Sequence, residues 1–234
     1  LMLVYPTGIP TGGSGYTIEN AIWLDGSADK LELSSPGTES DTKKGTLSFW
    51  VKRAKLGVSA HRIISHGTGG GSADNTWFDV RFENDDKLHI NTYSSARAVT
   101  TQVFRDTTAW YHIVVRLDTT DGTADDRLRI YVNGSQVTFG TRNNFSEDDT
   151  TAFSGNGSTL RIGDWGGSHW FNGYFAEFIQ CDGQSLGPDS FGESDDNGVW
   201  VPINPSVTFG NNGFHLDFAV APGTGNGAGT DVSG

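Results

Sequence analysis

The chain has only one cysteine in 234 residues, so no disulfide can form within it. Its fold must therefore be stabilised by burial of apolar side chains, with a metal ion or a second subunit as the remaining sources of stability. Cys181 lies in an apolar run that begins at Phe175, which indicates a small core side chain rather than a reactive thiol. A disulfide-dense scaffold is excluded.

Long apolar runs are also missing. No stretch approaches the roughly 20 apolar residues that span a bilayer, so we expect no membrane insertion. Basic residues are scarce, with 16 Lys and Arg against 28 Asp and Glu and a formal net charge of −12. A surface of this sign repels phosphate groups, and nucleic acid is therefore not an expected partner.

Proline occurs 7 times and glycine 32 times, and no long amphipathic helix pattern is present. This composition favours many short strands joined by tight turns. Apolar residues alternate with polar residues in several segments, as half-buried antiparallel strands require. The predicted strands cover residues 21–24, 47–51, 78–82, 111–117, 128–132, 160–162 and 214–220.

Two turns are predicted between these strands. The acidic tract 83–86 connects Phe82 to Leu88, and Asn133-Gly134 favours a type I′ hairpin because both residue types accept a positive φ. The predicted fold class is thus all-β, a two-sheet antiparallel β-sandwich. Its predicted domain boundaries are 21–222 for the sandwich, 1–20 for an N-terminal extension or edge segment, 183–212 for an irregular connection that wraps the sandwich, and 223–234 for a flexible linker or the end of a fragment.

Four motifs follow one another in the second half of the chain. They are Trp110–His112, Tyr131–Gly134, Ile162-Gly163 and Phe171–Glu177. Their order resembles that of concanavalin A-like (laminin G-like) jelly-roll domains, over about residues 21 to 186. The resemblance implies the jelly-roll form of the β-sandwich.

Two later segments, Phe191–Ile203 and Phe209–Phe218, resemble C-terminal parts of jelly-roll proteins encoded by tailed bacteriophages. This resemblance implies a place on a virion, such as a tail fibre or a head decoration. We predict a non-enzymatic adhesion module on a virion surface or in another extracellular setting, with a host cell-surface glycan as its partner. The alternative is a purely structural capsid or tail decoration that binds other virion proteins, and an oligomer is compatible with both.

The loop from Asp164 to Trp170 is the best candidate for a glycan contact, because it places two tryptophans and a histidine around a glycine pair. Sugars bind to aromatic faces, helped by polar side chains. A second set of aromatic and basic residues follows the Gly-rich stretch 67–71. In the opposite interpretation these aromatics cap the core or fill a subunit interface. The predicted carbohydrate-binding residues are Asp164, Trp165, His169, Trp170, Trp77, Tyr93 and Arg97.

Catalysis is less favoured. The family includes β-glucanases, whose retaining mechanism needs two carboxylates about 5 Å apart, and their Glu-x-Asp-x-x-Glu pattern is absent. Glu177 shares its predicted strand face with Ile179 and Cys181 and is interpreted as a structural residue. No serine or cysteine in a nucleophile-elbow motif lies near His112 in the sequence. His112 is therefore interpreted as a structural residue of the sheet whose hydrogen bonds are satisfied. A polysaccharide hydrolase therefore remains the last alternative, with no catalytic residue predicted.

The acidic loop 118–126 offers several hard oxygen ligands of the type that calcium requires. Its spacing is not that of an EF-hand, and acidic loops between strands are also typical of solvated turns. Calcium is therefore the one cofactor considered. Its predicted ligands are Asp118, Asp121, Asp125 and Asp126.

Overall fold

The computed structural model describes residues 1–4, 6–11, 15–67, 74–93, 95–155, 158–223 and 227–233. Within these residues, seventeen strands form two large antiparallel sheets and one small two-stranded sheet. The two large sheets pack face to face around the core, which confirms the predicted all-β sandwich. No helix in the described part of the chain is long and apolar enough to cross a bilayer.

The strands are numbered in chain order. They are β1 (Met2–Val4), β2 (Ala21–Asp25), β3 (Leu31–Leu33), β4 (Lys44–Arg53), β5 (His61–His66), β6 (Phe78–Phe82), β7 (Lys87–Thr92), β8 (Ser95–Val103), β9 (Tyr111–Asp118), β10 (Leu128–Val132), β11 (Ser135–Gln136), β12 (Phe139–Arg142), β13 (Leu160–Ile162), β14 (Asn172–Asp182), β15 (Gly192–Ser194), β16 (Trp200–Pro202) and β17 (Phe214–Leu216). Sheet A has the order β1-β2-β14-β4-β9-β10-β11, with β17 also paired to β14. Sheet B has the order β12-β8-β7-β6-β5-β13-β3, and β15 pairs with β16.

Aromatic side chains fill the space between the sheets. The rings of Phe49 and Phe178 stack at 5.1 Å, and those of Phe171 and Phe175 at 4.4 Å. Each of these four side chains is fully buried. Burying one such side chain contributes roughly 1.5–3 kcal/mol, so this core stabilises the fold without a disulfide.

The two predicted turns are confirmed. Asn133 and Gly134 have φ angles of 47° and 78°, and Val132 pairs directly with Ser135, which is a type I′ hairpin with a two-residue loop. Between β6 and β7, the amide of Asp86 donates to the carbonyl of Glu83 at 2.9 Å, and Phe82 pairs with Leu88.

The last predicted strand is shorter than expected. The alternation pattern extends to Val220, but β17 ends at Leu216. Phe218 has a φ of 57°, in the left-handed region, and the side chain of Asp217 accepts a hydrogen bond from the amide of Ala219. This turn ends the strand, although the alternation of apolar residues continues beyond it to Val220.

Other parts of the chain cover sheet A on its outer face. Phe191, from the predicted wrapping segment 183–212, packs against Val114, Ile179 and Cys181. Ile9 and Ile18 from the N-terminal segment pack around Trp50 and Trp110 on the same sheet, and β1 forms its edge.

The glycine-rich stretch 223–234, predicted as a flexible linker or the end of a fragment, packs on the sandwich over its described residues 227–233. Ala228 is buried, and the amide of Val232 donates to the carbonyl of His215 at 2.9 Å.

Candidate functional site

Three aromatic side chains from the two predicted sets meet on the outer face of sheet B. Trp77 precedes β6 and Tyr93 follows β7, and because these strands are antiparallel neighbours, both residues lie at one end of the sheet. The ring centroids of Trp77 and Trp165 are 4.8 Å apart, and those of Trp77 and Tyr93 are 6.4 Å apart. We call Trp77, Tyr93 and Trp165 the aromatic patch.

The loop after β13 brings Trp165 to this position. The hydroxyl of Ser65 on β5 donates to the carbonyl of Asp164 at 2.8 Å, which holds the loop against sheet B. Gly166 and Gly167 have φ angles of 54° and 92°, so the loop reverses tightly, and the amide of Trp165 donates to the carbonyl of Ser168. The loop therefore presents Trp165 on a defined turn.

Asp164 itself is fully buried, and its carboxylate accepts a hydrogen bond from the amide of Gly167 at 2.8 Å. The structure thus places this predicted ligand contact beneath the loop, where it stabilises the turn.

A buried ion pair supports the aromatic patch. The guanidinium carbon of Arg62 lies 4.9 Å from the centroid of the Trp165 ring and 5.5 Å from that of the Trp77 ring. Arg62 forms an ion pair with Asp79, which also lies 3.2 Å from Arg81 and accepts a hydrogen bond from the side-chain amide of Asn91. Burial raises the pKa of Asp79, and the two guanidinium groups oppose that rise.

The prediction from sequence missed Arg62 and Asp79. Asp79 alternates with the inward-facing Phe78 and Val80, so its place on the outer face was readable from the pattern. The position of Arg62 could not be predicted, because β5 is buried on both faces and its sequence shows no alternation.

The remaining predicted residues surround the aromatic patch or lie apart from it. The exposed His169 has its carbonyl 3.3 Å from the amide of Arg62, and its Nδ1 lies 2.9 Å from the Ser168 hydroxyl. Partial desolvation, followed by the charges of Arg62 and Arg81, lowers the pKa of His169. Trp170 is half-buried in the same loop. Arg97 lies over the ring of Phe145, at 4.6 Å.

The four predicted calcium ligands are engaged separately. Asp118 accepts hydrogen bonds from Thr120, Asp121 from Thr123, Asp125 from Asn144 and Asp126 from Arg129. Over the described ranges of the chain, no group of three or more His, Cys, Asp or Glu side chains is arranged to hold a metal ion. This donor set does not fit calcium, which needs six to eight converging oxygens.

His112 is hydrogen-bonded on both of its ring nitrogens. Trp200 Nε1 can only donate, and it donates to His112 Nδ1 at 2.9 Å, so Nε2 carries the proton and donates to the Ser48 hydroxyl at 2.9 Å. Burial lowers the pKa of this imidazole to about 3. It therefore cannot take a proton from Ser48, as expected of a satisfied sheet residue.

A cleft of about 520 Å³ lies elsewhere, at the edge formed by β3, β13 and β17. Among the described residues that line it, the one aromatic is Phe214, which is only 8% exposed. Its Glu32 is paired with Lys30 at 2.7 Å and with Arg161 at 3.0 Å. The hydrogen bond from Lys30 is the main cause of a lowered pKa of Glu32, whereas a glycosidase acid needs a raised one.

The family model described as the concanavalin A-like lectin/glucanases superfamily matches residues 25–179, more than half of the chain. The chain belongs to this superfamily. Its sandwich has the two-sheet architecture that the four sequence motifs imply. No curated protein sequence matches the chain.

Solved structures of this superfamily fold resemble the chain at low identity. A candidate carbohydrate-binding protein from Bacteroides ovatus has a TM-score of 0.53 and 15% identity, over 83% of this chain and 53% of that one. A pentraxin from Limulus polyphemus has a TM-score of 0.51 and 17% identity, over 71% and 76%. A sialidase from Trypanosoma rangeli has a TM-score of 0.51 and 14% identity, over 77% of this chain and 27% of the sialidase. These likenesses show a shared fold.

Proposed function

We propose that the chain is a carbohydrate-binding module whose ligand stacks on the aromatic patch. The observation that carries the proposal is the convergence of Trp77, Tyr93 and Trp165 from three separate segments onto one face of sheet B. Side chains that only filled the core would be buried, whereas Tyr93 is 44% exposed. An exposed ring of this kind supplies an apolar face for the C–H groups of a sugar and a hydroxyl for its polar groups.

Binding without catalysis is part of this proposal. The carboxylates buried in the described part of the chain are Asp79, Asp86, Asp164, Glu177 and Asp182. Asp79 and Glu177 lie on strands of opposite sheets, so these two are not the paired acids of a retaining glycosidase. The carboxylate of Glu177 forms a hydrogen bond with His215 Nε2 at 2.5 Å, so it is already engaged by another side chain of the fold. The Ser48–His112 pair has the wrong proton arrangement for nucleophilic catalysis.

The location of the protein on a virion surface is also part of this proposal. The resemblance of Phe191–Ile203 and Phe209–Phe218 to bacteriophage jelly-roll proteins supports a virion surface, with a host glycan as the partner. Imaging of an intact particle tests this setting. An aromatic patch open to solvent agrees with adhesion, and a patch buried against neighbouring subunits favours the architectural alternative.

Substitution of the tryptophans tests the binding site. We expect Trp77→Ala and Trp165→Ala each to weaken binding about tenfold or more, because a central aromatic contact contributes roughly 1.4 kcal/mol or more. Isothermal titration calorimetry with a panel of neutral and acidic polysaccharides gives the dissociation constants, and thermal unfolding checks that each variant is folded.

Tyr174→Ala is the matched control. Tyr174 is a half-buried aromatic residue with Lys52 at 5.6 Å from its ring centroid, but it lies on sheet A. Its loss should leave affinity unchanged. No saturable binding by the wild-type chain to any member of the panel would contradict the proposed function, and an equal loss in Tyr174→Ala would contradict the site.

A further inference from the structure

We infer that the aromatic patch takes an uncharged saccharide rather than an acidic one; this inference rests on the proposed function and deepens it. Recognition of a carboxylate or sulfate group in a partly buried site requires a cation whose charge is available to the ligand, most often an arginine that can form two parallel hydrogen bonds. The charges beneath the patch are already compensated.

Arg62 is the cation closest to the patch. Its side chain is 6% exposed, and it forms an ion pair with the fully buried Asp79. Both tryptophan rings lie within 5.5 Å of its guanidinium carbon. A ligand carboxylate would have to displace either Asp79 or a tryptophan ring in order to reach it.

Arg81 is compensated in the same way. It lies 3.2 Å from Asp79 and is paired with Glu83, which follows β6. Glu83 is itself fixed, since it accepts hydrogen bonds from the amide of Ala60 at 2.9 Å and from the hydroxyl of Ser59 at 3.1 Å. When all four groups are ionised, the two guanidinium groups and the two carboxylates therefore sum to zero charge.

Arg97 is engaged next to Tyr93, because its Nε donates to the hydroxyl of Thr92 at 2.8 Å and its guanidinium lies over the ring of Phe145. The lowered pKa of His169 favours its neutral form at neutral pH. The whole chain carries a formal charge of −12, which repels an anionic polymer at long range. What the patch offers is apolar ring surface and the Tyr93 hydroxyl, and these suit the C–H faces and hydroxyl groups of neutral sugars.

Two measurements on the full chain test this inference. The first compares polygalacturonate with the galactan made from it by carboxyl reduction, alongside neutral glucan, arabinan and mannan and a sialylated oligosaccharide. The second repeats the calorimetry for each bound glycan at about 20 mM and about 500 mM NaCl, since salt screens only charge-dependent affinity.

The expected result is that each bound glycan is neutral, with an acidic counterpart about tenfold weaker or more and a salt effect under about twofold. Tighter binding of an acidic glycan, or an affinity that falls about tenfold in high salt, would overturn the inference. If that acidic binding were lost in Trp165→Ala, the carbohydrate-binding function would stand and only the ligand class would be wrong. Absence of binding to every glycan would overturn the function itself.

Discussion

At the scale of single residues, the fold depends on a buried cation that the alternation pattern does not reveal. Arg53, at the end of β4, is fully buried, and its guanidinium donates to the carbonyl of Phe104 at 2.6 Å. It lies 4.4 Å from the ring of Phe82 and 3.1 Å from the carboxylate of Asp86. The predicted strand 47–51 does not reach Arg53, and its pairing depends on Asp86, which lies in the β6–β7 turn on the other sheet.

Removal of the Asp86 charge tests this pairing. Asp86→Asn keeps the shape and tolerates the φ of 60° at this position, but it leaves Arg53 without its counter-charge. We expect the free energy of unfolding to fall by about 3 kcal/mol, because an uncompensated buried charge is costly. Asp85→Asn is the control, since Asp85 is 41% exposed and 4.0 Å from Lys87, and it should cost less than about 1 kcal/mol. Urea denaturation measures both, and equal losses would be inconsistent with a buried pair.

At the scale of elements, strands whose sequence alternates between apolar and polar residues were predictable, and strands without that alternation were not. Alternation predicted β4, β6, β9 and β10, although residues 45–51 of β4 are all buried. Every residue of β5 is buried as well, but its sequence does not alternate. The loop that carries Trp165 covers the outer side of β5, as the hydrogen bond from Ser65 shows. Tertiary covering of this kind removes the polar half of the alternation from which a strand is predicted.

The hairpin between β10 and β11 provides a second prediction. A Cβ atom at Gly134 would lie 2.3 Å from the ring of Trp200, and its φ of 78° strains any other residue. We expect Gly134→Ala to lower the free energy of unfolding by about 2–4 kcal/mol, from backbone strain and overpacking together.

Gly57→Ala separates the two causes of that loss. Gly57 also has a positive φ, of 66°, but a methyl group added there would meet no other atom within 4 Å. Its substitution should cost only about 1 kcal/mol, from backbone strain alone. If thermal unfolding gave the same loss for both variants, Trp200 would not pack against the turn.

At the scale of the whole molecule, the aromatic patch shows what a sequence can and cannot predict about a site. Trp77, Tyr93 and Trp165 were all predicted to contact a ligand, because large aromatics in glycine-rich loops are typical of binding surfaces. The contact among the three rings was not predicted. It depends on the β13-β5-β6-β7 order of sheet B, which brings together residues that are distant in the chain. Trp170 and Arg97 stay predictions for binding that substitution can test in the same way.

Stability of the whole molecule should fall with mild acid. Burial lowers the pKa of His61 and His112 to about 3 and that of His66 to about 4. Between these values and the unfolded value of about 6.5, only the unfolded chain binds the three protons, so stability is full above about pH 6.5 and decreases as the pH falls. Each histidine contributes a slope of up to about 1.4 kcal/mol per pH unit.

Urea denaturation from about pH 7.5 to about pH 4.5 measures this slope, in a range where carboxylates with lowered pKa values stay ionised. His66→Gln removes one of these three imidazoles, so the slope should become shallower by about a third even though the variant is less stable at every pH. Its effect on the slope separates proton uptake from simple loss of packing, because lost packing lowers stability equally across the range. A wild-type free energy of unfolding that stayed constant over this range would mean that these histidines are protonated in the folded chain, and the neutral hydrogen-bond arrangement between Trp200, His112 and Ser48 would then be wrong.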